Sequence, residues 1–399
     1  MKIQIHRGQN QIGGSIIEIS TDNTKVIFDA GINLDESDEI EVPQIEGLFY
    51  GEALYNAVFV SHYHGDHVGL LSYVLKEIPI YMGKQAANIV KAASEYRGKD
   101  IEYQYRCFED GEVLQIGDLS ITPIACDHSA YDSFMFLIEA DEKKILYSGD
   151  FRSNGRMEFE DLLKRIPPVD VLIIEGTTLT REKYKENIQE ELLEDIAEDV
   201  LNKYSGPAFL MTSAMNVERI ITGYNASRAV NRVFLEDLYT ASIMSAIEGD
   251  VPVPNKDKGI RVFMTGGDRQ YELLQQYSDA KIGKNAIVNE KFLMCIRPSM
   301  KNYLIKLNEI YSFKDGVVFY GMWKGYLERD DMKEFISFME NLGVKMHVLH
   351  TSGHADINAI NKLIECTKPQ CIIPVHTENP DWYKKYNSKV LLDDNVLIL

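Results

Sequence analysis

Cysteine is scarce and scattered in this chain. The five cysteines, Cys107, Cys126, Cys295, Cys366 and Cys371, are odd in number and nowhere spaced C-x-x-C, which excludes a disulfide framework and a cysteine zinc site. Long apolar runs are missing too. No uninterrupted stretch approaches the roughly 18 residues of a membrane-spanning helix. Residues 1–14 have neither the basic flank nor the apolar core of a signal peptide, so a cytoplasmic protein with no membrane partner is expected. Positive charge is the third shortage. With 42 Lys+Arg against 61 Asp+Glu, the 399 residues carry a formal charge of -19, which excludes polyanion binding driven by overall charge and leaves only a local basic patch for any nucleic acid. No internal repeat or low-complexity segment is present. The 45% hydrophobic and 26% charged composition is that of a soluble globular chain. At roughly 150 residues per domain, the length predicts two or three domains.

Residues 1–60 read as hairpin strands over 2–6, 15–19 and 25–28, separated by Gly13-Gly14 and Asp22-Asn23 turns. Asp35 to Glu41 is an acidic, solvated loop. After the apolar run Ala57-Val-Phe-Val60, the spacing Val68, Leu71, Leu75, Ile78 predicts a helix. Strands follow at 119–125, 133–140, 144–147 and 169–174, with Asp141-Glu142 as a hairpin turn, so the first 175 residues read as mostly sheet. From about Thr180 an α/β character takes over. Helices are predicted at 181–204, 217–224, 271–277, 329–342 and 357–366, and strands at 208–211, 261–264, 316–320, 345–349 and 371–374.

The strongest chemical signal is Ser61-His62-Tyr63-His64-Gly65-Asp66-His67, which places three of the nine histidines and an aspartate within six residues, directly after an apolar strand. On an extended segment His62 and His64 point the same way, whereas Asp66 and His67 turn into a helix and face elsewhere. That suits two metal ions side by side better than it suits a solvent-exposed histidine loop. Other acids and histidines share one placement, each directly following an apolar strand-like run: Asp127-His128, Asp150, Glu175 and His376. Sheet proteins put their sites on such strand-end loops. Charge bookkeeping then gives one site of His62, His64 and His128, a second of Asp66, His67 and His376, and Asp150 as a bridge. All-nitrogen and oxygen ligation fits zinc best, with manganese also compatible.

At these residues the chain resembles the metallo-β-lactamase superfamily, whose H-x-H-x-D-H signature sits on the same strand-to-helix turn. Within it the chain is most similar to the β-CASP nucleases, and the Ser352-Gly353-His354-Ala355 string looks like that of ribonuclease J. Glu175 matches motif A of that family, His354 motif B and His376 motif C. The resemblance implies an α/β fold: an αββα metallo-β-lactamase sandwich over residues 1–178 and 348–399, with an inserted α/β β-CASP domain at 179–347. It also implies metal-dependent hydrolysis of RNA phosphodiesters to 5'-phosphate and 3'-hydroxyl ends. Catalysis would rest on Asp66, His354 and Glu175, and His376 at motif C implies RNA rather than DNA, with single-stranded RNA as the expected substrate. Rival expectations are a superfamily hydrolase of DNA or of a small ester, or a non-catalytic RNA-processing paralogue.

Only 23 residues follow His376, so the resemblance is to a minimal two-domain member lacking the C-terminal domain through which ribonuclease J dimerises, and a homodimer stays open. Substrate contacts are expected from Ser213 and Arg219, which have counterparts near the cleft of relatives, and from Ser352 and Gly353. The alternatives are an N-cap role for Ser213 and a solvated position for Arg219. Thr265-Gly-Gly-Asp-Arg-Gln reads as a turn or as a phosphate-facing loop. Trp323-Lys-Gly-Tyr326 reads as a stacking surface or as domain packing. His6, His347 and His350 read as structural.

Overall fold

The structure is a computed structural model that describes residues 1–34, 40–99, 105–180, 187–266, 268–392 and 396–399, and the side chains of all these except 268–270. Most of the acidic loop from Asp35, the start of the helix expected at 181–204, and part of the Thr265-Gly-Gly-Asp-Arg-Gln segment lie outside the described residues.

The chain separates into two compact units, one of residues 1–94, 99–187 and 353–399, the other of 95–98 and 188–352. In chain order the first unit contains β1 (Lys2–Arg7), β2 (Ile16–Ser20), β3 (Lys25–Phe28), β4 (Ala57–Phe59), β5 (Ile80–Gly83), β6 (Tyr105–Phe108), β7 (Leu114–Ile116), β8 (Leu119–Cys126), β9 (Ser133–Ala140), β10 (Lys143–Tyr147) and β11 (Val171–Ile174). The second unit contains β12 (Ala208–Met211), β13 (Val233–Asp237), β14 (Ile260–Phe263), β15 (Phe292–Ile296), β16 (Gly316–Tyr320) and β17 (Val344–Val348). The first resumes with β18 (Cys371–Pro374), β19 (Lys389–Val390) and β20 (Val396–Ile398).

The first unit holds two seven-stranded sheets, ordered β20-β1-β2-β3-β4-β5-β6 and β19-β18-β11-β10-β9-β8-β7. One core draws from both, with Phe28 and Phe59 of the first meeting Phe136 and Tyr147 of the second. On β9, Phe134, Phe136 and Ile138 enter that core. The alternate residues Met135 and Leu137 enter another, shared with helices Phe159–Arg165 and Ile357–Thr367. Both faces of β9 are therefore covered, which explains its unbroken apolar run. Asp141 and Glu142 both have positive φ, 50° and 60°, the requirement of the tight hairpin turn expected between β9 and β10.

The second unit is one six-stranded sheet, β14-β13-β15-β12-β16-β17, parallel at every pairing. Among the described residues no helix is long and apolar enough to cross a membrane.

Two expectations need correction. The spacing from Val68 to Ile78 does not form one helix: a single turn covers Gly65–Val68, a 3-10 turn covers Leu71–Tyr73, and Val74 is extended. Leu70, Leu71, Val74 and Ile78 are all buried, so the apolar spacing marks an irregular packed segment, which Pro79 would have stopped in any case. The helix expected from 181 begins at Glu190, after an extended Gln189. The first 175 residues also hold the 14-residue helix Lys84–Arg97, with Ala86, Ala87, Ile89 and Ala93 as its buried face.

One buried charge tests how the first sheet is stabilised. Glu18 on β2 accepts from Tyr55 Oη at 2.8 Å and lies 3.0 Å from His6 Nε2. Burial pushes its pKa up, but the His6 and Tyr55 hydrogen bonds outweigh it and bring it down to about 2. A carboxylate depressed in the folded state stabilises it fully above its ordinary value of 4.5, and that contribution is lost as pH falls toward the folded value. Tyr55→Phe is therefore expected to remove about 1 kcal/mol at pH 7. Urea melts at pH 7, 4 and 3 should show the gap from wild type narrowing with acid; a gap independent of pH would contradict the assignment.

Candidate metal centre

The potential ligands sit on loops at strand ends of the first unit. β4 leads into Ser61–His67, β8 into His128, β10 into Asp150, β11 into Glu175 and β18 into His376. Close approach of the β3 exit to the Gly65–Val68 turn fixes the first of these. Ser15 N donates to Asp66 O at 3.1 Å, Ala30 N to His67 O at 2.8 Å and Ile32 N to Gly65 O at 3.1 Å. A Cβ on Gly31 would lie 1.6 Å from Asp66 O, so only glycine lets these backbones meet. His376 has φ of 50° and is tied by its N–H to Gly8 O at 2.7 Å.

Ligand-type atoms of His62, His64 and His128 lie within 4.8 Å of one another, and so do those of Asp66, His67 and His376. Asp150 Oδ2 stands between the groups, 3.8 Å from His62 Nε2, 3.3 Å from His67 Nε2, 4.0 Å from His128 Nε2 and 3.6 Å from His376 Nε2. The side chains fit divalent cations. His62 Nε2, His67 Nε2 and Asp150 Oδ1 are buried and have no hydrogen-bond partner among the described residues, a costly state that a shared cation relieves.

The electrostatics point the same way. Burial, reinforced by the neighbouring imidazoles, holds His62 and His128 well below the usual imidazole range, and burial brings His64 down to about 4. These rings therefore present lone pairs, as metal ligands must. Burial pushes Asp66 and Asp150 up, but His67 and His376 outweigh it and keep both carboxylates ionised. Burial opposes protonation of His67 as well, and there Asp150, Asp29 and Asp66 together prevail and raise it. A dication among these three carboxylates would take over the proton's role.

Glu175 and His354 adjoin the cluster. His354 Nδ1 is 3.2 Å from Glu175 Oε2 and 3.6 Å from Asp150 Oδ2, and 24% of its side chain is exposed. Burial would lower its pKa, but Glu175 first and Asp150 second raise it to about 9. Glu175 is itself held by N–H donors of Phe151 at 3.1 Å and of Ala355 and Thr177 at 3.2 Å. By distance alone, Asp150, Glu175, His354 and His376 also form a possible ligand group.

Asp29 was not singled out in the sequence, yet it organises the site. Fully buried, it accepts from Ser61 N and Oγ at 2.7 Å each and Tyr147 Oη at 2.6 Å, and lies 2.8 Å from His67 Nδ1. Such a carboxylate fixes the tautomer of a ligating histidine. Its signal was present: Asp29 directly follows the apolar run Val26-Ile-Phe28, as the other acids follow theirs. Asp127 has a different place, paired with buried Arg152 and accepting from Met157 N.

The expected substrate residues fare unevenly. Gly353 belongs to the first unit, and its carbonyl accepts from His128 Nδ1. A Cβ there would sit 2.4 Å from Ser129 Oγ, so Gly353 positions a cluster histidine. Ser213, Arg219 and Ser352 belong to the second unit. Arg219 is neither solvated nor presented to a ligand. It is fully buried, donating to Glu190 at 2.8 and 3.2 Å and to the carbonyls of Gly321 and Leu349. Ser213 is exposed and accepts from Met215 N at 3.2 Å, and the N-cap of the following helix is Asn216 instead. Ser352 is buried. His6 meets Glu18, and His347 Nε2 lies 3.0 Å from Tyr204 Oη.

Comparison with known proteins agrees with this geometry. Residues 24–211 match the family model of the beta-lactamase superfamily domain, and residues 341–386 match that of the Zn-dependent metallo-hydrolase RNA specificity domain. An RNase J-like protein of Methanocaldococcus jannaschii is 28% identical over 241 residues, covering 56% of this chain and 54% of that one. Ribonuclease J of Mycoplasma genitalium is 24% identical over 413 residues, covering 94% of this chain and 68% of that one. These matches support a ribonuclease J-like, β-CASP protein of the metallo-β-lactamase superfamily. The chain spans about half to two thirds of the length of these two relatives. A solved structure of a protein of unknown function from Enterococcus faecalis shares the fold, with a TM-score of 0.84 at 19% identity over 100% of this chain and 99% of that one. The fold is accordingly the αββα sandwich with an inserted α/β β-CASP domain, and the family and the cluster together indicate a divalent-metal site.

Asp29→Asn turns an acceptor toward His67 into a competing donor while keeping its shape. It should weaken divalent-metal binding by about 10- to 100-fold, read by elemental analysis after dialysis against graded chelator. Unchanged metal retention would remove Asp29 from the site's support.

Proposed function

We propose that this protein is a metal-dependent ribonuclease, acting in the cytoplasm on single-stranded RNA and leaving 5'-phosphate and 3'-hydroxyl ends. One observation carries the reading: a His354–Glu175 pair stands against a histidine and aspartate cluster that can hold two ions. The ligands are His62, His64 and His128 for one ion and Asp66, His67 and His376 for the other, with Asp150 shared. Zinc suits these donors, and manganese is the second choice. Divalent ions held there would supply Lewis-acid polarisation of the phosphodiester and activation of the attacking water.

The chain's own groups do the rest. Glu175 orients His354 through Nδ1 and keeps it protonated near neutral pH, so that its outer nitrogen can give a proton to the leaving 3'-oxygen. Gly353 O and Asp29 hold the Nδ1 atoms of His128 and His67, aiming both Nε2 atoms inward. On this reading the domain boundaries are 1–178 and 348–399 for the hydrolase and 179–347 for the insertion. The RNA specificity named in the match to residues 341–386 supports RNA as substrate.

Incubation of end-labelled single-stranded RNA with zinc- or manganese-loaded protein is expected to give a ladder or mononucleotides, and intact RNA would overturn the reading. Elemental analysis should approach two divalent ions per chain in wild type and fewer in Asp66→Ala; under one ion in loaded wild type defeats the two-ion centre. His354→Ala should keep its metal and slow cleavage about 10²- to 10⁴-fold. Glu175→Gln should do so more mildly, and the double variant should be non-additive. Metal loss in His354→Ala would make His354 a ligand.

A further inference from the structure

The second unit contains a cavity of about 340 Å³ that the metal centre does not use. It opens beyond the C-terminal end of the edge strand β14. Its polar lining residues are Thr265, Lys284, Asn302, Tyr303 and Lys306, and Met264 and Ile282 contribute apolar surface. In a chain with 61 acidic residues and a net charge of -19, no carboxylate among the described residues lines it. Lys284 and Lys306 form no salt bridge among the described residues.

Tyr303 is the second, independent observation. Only 7% exposed, it stacks on Phe263 at 5.2 Å and carries Lys284 Nζ 5.8 Å from its ring centroid. Its hydroxyl has no hydrogen-bond partner among the described residues. The ring is buried, but the hydroxyl is not one of the buried polar atoms left without a partner, so it meets the cavity and can donate to a ligand acceptor there. Two ammonium groups, a phenol and an amide line the cavity as potential donors, and no carboxylate of the described residues joins them, which selects an anion. The apolar side and a volume within the range of small-molecule sites select an anion that carries a ring.

We propose that this cavity binds a nucleotide through its phosphate, with Lys284, Lys306 and Tyr303 as donors and the base or sugar against Met264 and Ile282. The same chemistry has two sources, a free mononucleotide or one nucleotide of an RNA strand held away from the scissile bond. The RNA source rests on the ribonuclease reading; the free-nucleotide source does not.

The test uses the metal-loaded full chain and two variants, Lys284→Ala/Lys306→Ala and Tyr303→Phe. Calorimetric titration with adenosine monophosphate and with orthophosphate is paired with steady-state cleavage of a long RNA and a dinucleotide. A free-nucleotide site predicts mononucleotide binding weakened at least ten-fold in the double variant, with KM for long RNA unchanged. An RNA subsite predicts KM for long RNA raised about ten-fold, with kcat and dinucleotide cleavage unchanged. Either result supports the cavity, and Tyr303→Phe should give a smaller loss in the same quantity. Both quantities unchanged in the double variant would overturn the proposal. If wild type leaves RNA intact yet loses mononucleotide binding on removal of the lysines, the ribonuclease reading falls and the cavity stands.

Discussion

Three carboxylates buried inside one layered unit set the terms for the rest of it. Asp29, Asp66 and Asp150 are almost wholly removed from water, a state tolerated only where opposing charge and hydrogen bonds replace hydration. Each finds imidazoles. Asp29 takes His67, Asp66 takes His376 at 3.0 Å, and Asp150 faces five rings within 4.0 Å. Because the partners come from different strand ends, satisfying these charges requires the two sheets to be stacked in one register. Charge neutralisation and fold are thus a single condition, and a dication held among the carboxylates would serve the stability of the structure as much as its chemistry.

Much of the first unit was legible because its signals are local. Strands read from alternation or apolar runs fall within a residue or two at β3, β8, β9 and β10, and the spacing of His62–His67 already marks the residues that the structure clusters. What the sequence hid is non-local. Asp29 looks like any acid at a strand end until Ser61, His67 and Tyr147 are brought to it. Arg219 looks like a surface residue because its partner Glu190 lies a helix away. The Val68–Ile78 spacing shows the opposite failure, where burial imitates helical period without the backbone to match.

The second unit was harder to read for a related reason. In an all-parallel sheet each strand is covered on both faces, so β15 (Phe-Leu-Met-Cys-Ile) and β16 (Gly-Val-Val-Phe-Tyr) show no alternation to separate strand from buried helix. Gly31 carries a different kind of hidden information. Its role depends on a backbone oxygen more than thirty residues away, and no composition or period records such a clearance.

The order of strands in the second sheet of the first unit also bears on how the chain is made. β11 is flanked in that sheet by β10 and β18, and β18 is synthesised about 200 residues after β11. At typical rates of about 5 to 20 residues per second, β11 waits some tens of seconds at the ribosome with one hydrogen-bonding edge unpaired and apolar. Such an edge invites intermolecular pairing. The second unit, continuous over 188–352 apart from the short 95–98 segment, has every strand it needs before β18 emerges. Its early collapse would shorten the search that brings β18 back to β11, so a slowly folding insertion should express itself as aggregation of the other unit. His376 follows β18 by two residues, which makes closure of this sheet and completion of the ligand cluster the same late event in the life of the chain.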